Sequence, residues 1–159
     1  FLAEIREIFD GTVVLAGGMS SGRAVAAALA AGADFAYLGT RFIASQEAEA
    51  EPEYQEMILR ASAADIVYTN RVSGVHGNFL RESLDANGVD LTGDAPAYKP
   101  GAMRPEDKKK GAWKRIWGGG HGVGTVHAVE PVARIVDQLE AEYREGIADL
   151  VAGNREMDA

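Results

Sequence analysis

Two short, almost unbroken apolar runs stand out near the start of the chain, Thr12-Val13-Val14-Leu15-Ala16 and Phe35-Ala36-Tyr37-Leu38. Between them the pattern changes to a helical one, with Val25 and Leu29 on one face among many alanines, from about Ser21 to Ala31. A run without polar alternation belongs to a strand covered on both faces, as in parallel sheets. The order is therefore strand, helix, strand, a βαβ unit with an expected right-handed crossover. Ser20 or Ser21 is placed to cap the helix, and Gly32 to end it. Both strands stop at glycine, the first at Gly17-Gly18 and the second at Gly39-Thr40.

The rest of the chain is less regular. Leu2, Ile5 and Phe9 predict a helix over 1–9, ending at Asp10-Gly11 with Gly11 in the left-handed region. A chain that opens on Phe1 inside a helical pattern leads us to expect an upstream part. Pro52 suits a helix start, and Tyr54, Met57, Ile58 and Ala61 continue one face. Asp65 to Thr69 predicts another strand. Residues 70–112 read as long loops with a short helix near Arg81–Ala86, and Lys108-Lys109-Lys110 as a solvated run. Trp113 to Trp117 predicts a short helix with its two tryptophans packed together. Gly118 to Gly124 reads as a flexible turn. A last helix is expected over about Pro131–Arg144, with Val132, Ile135, Val136, Leu139 and Tyr143 on one face and fraying past Gly153.

Length and composition narrow the picture. With 159 residues, 47% of them hydrophobic, the chain can bury a core. Sixteen basic against 24 acidic residues give a net charge of −8, which disfavours nucleic-acid and anionic-membrane partners. No cysteine is present, so disulfides, thiolate metal sites and a cysteine nucleophile are excluded. That usage fits a reducing compartment, and we expect a cytoplasmic protein. No apolar run approaches a membrane span. His76, His121 and His127 lack metal-ligand spacing, so no metal site is expected.

Two constellations compete for the chemistry. Gly18-Met19-Ser20-Ser21-Gly22 fits the nucleophile-elbow pattern between a strand and a helix. Ser20 would be the nucleophile, with Asp65 and His76 or His121 following in the order of a triad. A capped helix after a glycine turn accounts for the same residues. The second constellation is the pair of glycine turns, Gly17-Gly18 and Gly39-Thr40. Glycine lets backbone N–H groups approach a ligand, and a helix start behind them favours an anion. Adjacent turns of this kind hold phosphate at the C-terminal face of (β/α)₈ barrels. Thr40 adds a hydroxyl, and Arg23 and Arg41 add charge unless they pair with surface carboxylates. Gly120-His121-Gly122-Val123-Gly124 shares spacing with a dinucleotide fingerprint, but no strand precedes it.

Several segments together resemble the nitronate monooxygenase family, also called 2-nitropropane dioxygenases. They are Val14-Leu15-Ala16-Gly17-Gly18-Met19, then Tyr37-Leu38-Gly39-Thr40-Arg41-Phe42, then Ser73 to Leu84 with Asn78-Phe79-Leu80 and Ser83. Trp113 and Trp117 followed by Gly120-His121-Gly122-Val123-Gly124 are similar to the family's late segment, where glutamine often stands at the place of His121. The resemblance runs from about residue 10 to 145.

It implies an α/β fold: the C-terminal part of a TIM-like (β/α)₈ barrel, with the last βα units and FMN-phosphate loops in residues 1–69. Residues 70–159 would be an added helical and loop segment. It implies FMN as cofactor, with Gly17, Gly18, Gly39 and Thr40 holding its phosphate and Tyr37 and Leu38 lying against it. The implied activity is oxidation of alkyl nitronates by molecular oxygen. The family's catalytic histidine lies upstream of the Gly-Gly turn, so no catalytic residue is expected in this chain, and His121 is a substrate-side candidate. The alternatives are an FMN-dependent enoyl-acyl-carrier reductase, and a non-catalytic half-barrel that needs its N-terminal half or a second copy as partner.

Overall fold

The computed structural model of the protein describes residues 1–92 and 115–157, with side chains through Gly153. The chain is α/β. After helix α1 (Leu2–Ile8), strand β1 (Val14–Ala16), helix α2 (Gly22–Ala30) and strand β2 (Phe35–Tyr37) form the expected βαβ unit. β1 and β2 pair in parallel, with Val14 opposite Phe35 and Ala16 opposite Tyr37. Ser21 caps α2 by accepting from the Ala24 N–H at 3.2 Å, and Gly32 follows it at a φ of 104°. α1 instead ends in extended backbone at Phe9, and Gly11 is not in the left-handed region. Arg6 accounts for this exit. Its guanidinium donates to the Gly32 and Gly11 carbonyls and to Asp34, so the α1 end is tied across to the β2 start.

One expectation about these strands is corrected. Leu15 and Ala36 are half-buried, but Val14, Ala16, Phe35 and Tyr37, which alternation places together on the other face, are exposed. Phe35 is 61% and Tyr37 66% exposed. The unbroken apolar runs predict cover on both sides; among the described residues only one side has it.

The covered side is built by helix against helix. α2 packs along a 26-residue helix, α6 (Val132–Met157), which runs beyond the expected stop at Arg144 and does not fray at Gly153. The contact is between backbones rather than large side chains. Gly22 and Ala26 are buried in α2, and Gly146 in α6. A Cβ on Gly22 would collide with the Leu139 carbonyl oxygen and lie 2.5 Å from the Tyr143 nitrogen. Val25 and Leu29, the residues read as the apolar face, are only half-buried, because the small residues decide how close the helices come.

A second layer follows a four-residue helix α3 (Thr40–Ile43). Helix α4 (Pro52–Arg60) starts on Pro52 as expected. Strand β3 (Ile66–Thr69) pairs antiparallel with β4 (Gly77–Leu80), and helix α5 (Arg81–Ala86) follows. β4 was not foreseen, since Gly77-Asn78 reads as loop. Its second neighbour explains it: Phe79 pairs antiparallel with Gly118, and the Leu80 N–H donates to Trp117 O at 2.9 Å. Of the helix expected over Trp113–Trp117, Arg115 is helical, but Trp117 lies beyond it in strand-like pairing; Lys108–Lys110 and Trp113 lie outside the described residues. Ser83 locks this pairing, accepting from the Trp117 N–H at 2.7 Å and donating to Arg115 O at 3.0 Å.

The main core joins Ala44, Met57, Ile58, Ile66, Leu80, Val123 and Val126. Ile58, Leu80, Val123 and Val126 are essentially fully buried, and each such side chain is worth about 1.5–3 kcal/mol of transfer free energy. Two of them lie in the stretch just after the glycine run. Residues 121–125 form a 3₁₀ turn, so this segment is anchored rather than a flexible turn.

Candidate functional site

The register of β1 and β2 fixes the site. Because Ala16 stands opposite Tyr37, the Gly17-Gly18 and Leu38-Gly39 turns leave the same sheet edge. Gly17 and Gly18 have φ of 104° and 67°, conformations that favour glycine. Gly39 has a φ of −111°, which any residue adopts. A Cβ at Gly17, Gly18 or Gly39 would meet nothing within 4 Å among the described residues. The backbone at all three is exposed and faces open space.

A third segment completes the group, and of it the sequence places only His121 at the site, on the substrate side. Gly120 N–H donates to Thr40 Oγ1 at 2.8 Å, and a Cβ on Gly120 would lie 3.9 Å from the Gly18 nitrogen. A Cβ on Gly122 would lie 2.6 Å from the Gly18 carbonyl oxygen and 2.7 Å from Ser20 Oγ. The Gly118–Gly122 run thus rests on both turns and carries the exposed His121 to them. The sequence signal was the density of glycines at 118, 119, 120 and 122, more than a simple turn requires.

The run is held at its start by α4. Tyr54 donates to Gly118 O at 2.6 Å and its ring stacks on Trp117 with centroids 5.2 Å apart and planes within 8°. Burial pushes the Tyr54 hydroxyl up to about 12. Gly119 N–H adds a longer bond to Asn78 O, 3.3 Å. Gly39, Phe42, Ile43, Tyr54 and Trp117, with Glu49 and Glu51, line an open cleft of about 680 Å³ beside the Gly39 turn.

Other candidates are accounted for elsewhere. Ser20 is 5% exposed, with a buried hydroxyl that has no hydrogen-bond partner among the described residues. A nucleophile elbow must present its hydroxyl at the surface, so the hydrolase reading of Ser20 fails. Asp65 caps a 3₁₀ turn through Ser62, and His76 stacks on Tyr68 in the β3–β4 hairpin, so neither completes a triad. Arg23 pairs with Asp149 at 2.7 Å and Glu145 at 3.7 Å. Arg41 is buried, with Nη2 donating to Glu130 and Gln138, each at 2.8 Å. The Arg41 hydrogen bond, chiefly, holds the Glu130 carboxyl below its ordinary range, although burial opposes this. Both arginines thus serve the α6 packing, not the sheet edge. The first N–H of α2, Gly22, likewise donates to Glu142 at 2.6 Å, so a protein carboxylate already occupies that part of the helix start.

The fold and the site define an α/β chain with three bare glycine segments gathered at the edge of a parallel strand pair. A family profile, Nitronate monooxygenase, matches residues 1–142. The nitronate monooxygenase of Paraburkholderia phytofirmans is 33% identical over 147 residues, 87% of this chain and 39% of that one. The nitroalkane oxidase structure from Streptomyces ansochromogenes superposes with a TM-score of 0.71 at 32% identity, over 94% of this chain and 44% of that one. FabK from Thermotoga maritima gives 0.70 at 25%, over 95% and 50%. The chain belongs to the nitronate monooxygenase family. It spans about two-fifths to half the length of these relatives.

Proposed function

We propose that this chain supplies the phosphate-binding part of an FMN-dependent enzyme that oxidises alkyl nitronates with molecular oxygen. The observation that carries the reading is Gly39. Its φ does not require glycine, and nothing among the described residues lies within 4 Å of where a side chain would begin. A ligand approaching the bare backbone supplies the reason. Gly17 and Gly18 offer the second bare turn at the same edge, and Thr40 Oγ1, while accepting from Gly120, keeps its own proton to donate. Tyr37 and Leu38 flank the turn. These groups fit a phosphate held by backbone donors, without a paired arginine.

Bound FMN would supply the electron transfer and the reaction with oxygen. The chain's own residues would bind its tail, with the glycine run crossing over the turns and presenting His121 on the substrate side. None of the three histidines is assigned as the base. In this reading the bare face of Val14, Phe35 and Tyr37 belongs to the interior of a (β/α)₈ barrel whose other strands come from elsewhere in the enzyme.

Gly39→Val tests the site: the full polypeptide carrying this sequence should lose bound flavin, seen as loss of visible absorbance, while keeping its far-UV dichroism. Full retention of flavin would overturn the assignment. The likeness to FabK supports a second reading, an FMN-dependent enoyl-acyl-carrier reductase. Nitronate-dependent oxygen uptake without a nicotinamide donor separates the two.

A further inference from the structure

We propose that Tyr54 is a positioning residue for the glycine cradle, acting through the carbonyl of Gly118. The proposal rests on reading Gly17, Gly18, Gly39 and Thr40 as a phosphate site, and it concerns how the third segment is held against them. Gly118-Gly119-Gly120 has the backbone freedom of three consecutive glycines, so tethers rather than its own conformation determine where it lies. Besides the local Val123 N–H to Gly120 O bond of the 3₁₀ turn, three long-range tethers are present: Tyr54 Oη to Gly118 O at 2.6 Å, Gly119 N–H to Asn78 O at 3.3 Å, and Gly120 N–H to Thr40 Oγ1 at 2.8 Å. The middle one is the longest and so the weakest.

The remaining two stand at the ends, one on α4 and one on the cradle itself. Losing the Tyr54 bond would leave the run to the β4 pairing, with its long Gly119 bond, and to the Thr40 bond, and the Gly120 N–H would spend less time on Thr40. Thr40's hydroxyl would then be freer to rotate, and Gly122 less closely seated on the Gly18 carbonyl. The Tyr54 hydroxyl is in a fixed place because its ring is stacked on Trp117, the residue just before the run. Ring and hydroxyl have separable duties: the ring packs, and the hydroxyl sets the loop.

That separation supplies the test. In the full polypeptide carrying this sequence, Tyr54→Phe keeps the stack and removes only the donor. We expect its melting temperature to stay within a few degrees of wild type. Amide hydrogen exchange of the 118–125 segment should accelerate about fivefold, and the FMN dissociation constant should rise by about the same factor, the ordinary worth of one hydrogen bond. Tyr54→Leu, which also loses the stack, should lower the melting temperature as well.

Exchange and FMN affinity unchanged in Tyr54→Phe would overturn the proposal. So would exchange that rises evenly over the whole chain with a falling melting temperature, since Tyr54 would then be an ordinary core residue. If the segment's exchange accelerates but the wild-type polypeptide binds no FMN, the hold of Tyr54 on the loop stands and the phosphate reading falls.

Discussion

Thr40 and Gly120, 80 residues apart in the chain, are joined by a 2.8 Å hydrogen bond from the Gly120 N–H to Thr40 Oγ1. It links the end of the parallel strand pair to the glycine run that follows the β4 pairing. The two family segments that look unrelated in the sequence are one structural unit: Asn78-Phe79-Leu80 pairs with Trp117-Gly118-Gly119, and that pairing delivers Gly120 to Thr40.

Thr40→Val removes the acceptor while keeping the shape. The Gly120 N–H is then left without a partner, at a cost of about 1–3 kcal/mol, while Thr40→Ser should retain most of the stability. Urea unfolding of both variants checks this. Equal midpoints for valine and serine would mean that the bond contributes nothing.

Two glycines of the site should respond in opposite ways. Gly39→Ala meets open space at an ordinary φ, so stability should be unchanged or slightly higher, while flavin binding weakens. Gly122→Ala would press a methyl against the Gly18 carbonyl and Ser20 Oγ. It should destabilise by about 1–3 kcal/mol whether or not flavin is present. Thermal melts with and without FMN distinguish them.

Gly22→Ala sets two effects against each other. Alanine is favoured over glycine in a helix by about 1 kcal/mol. Here its methyl would run into the α6 backbone at Leu139 and Tyr143, which no rotamer change relieves. We expect the clash to win, with a net loss of stability of about 1–3 kcal/mol and a lower melting temperature. A stabilised variant would show that α6 does not dock on α2 at Gly22.

The pair of Arg41 with Glu130 gives a pH dependence. Its folded carboxyl is held below the ordinary value of 4.5, so the unfolded chain takes up the proton first as pH falls. The stabilisation is therefore fully present above about pH 4.5 and is lost as pH drops through the lower, folded value. Glu130→Gln should flatten this part of the stability curve, measured by urea midpoints between pH 3 and 6. An unchanged slope would remove Glu130 from the acid response. Toward alkaline pH the sign reverses. Tyr54, pushed up to about 12 in the folded protein, contributes stability that fades as pH rises above its ordinary value of 10.

Much of this was legible from residue patterns alone. The βαβ unit, the Ser21 cap, the Pro52 helix start and the two glycine turns follow from local chemistry: strand runs, a capping hydroxyl, a fixed proline φ and the freedom of glycine. The motifs also carried the family, since they need only residue identity at fixed spacing. What the sequence left open was decided by partners far along the chain. Ser20 matches a nucleophile pattern equally well buried or exposed, and its burial, with Gly122 against its hydroxyl, is a tertiary fact. β4 has weak strand character and is a strand because β3 on one side and Trp117-Gly118 on the other pair with it. Arg23 and Arg41 looked available to an anion until Asp149 in α6 and Glu130 just before it, each more than 85 residues later, paired with them. Backbone geometry and caps are set within a few residues; burial and charge pairing are set by contacts whose partners no local pattern names.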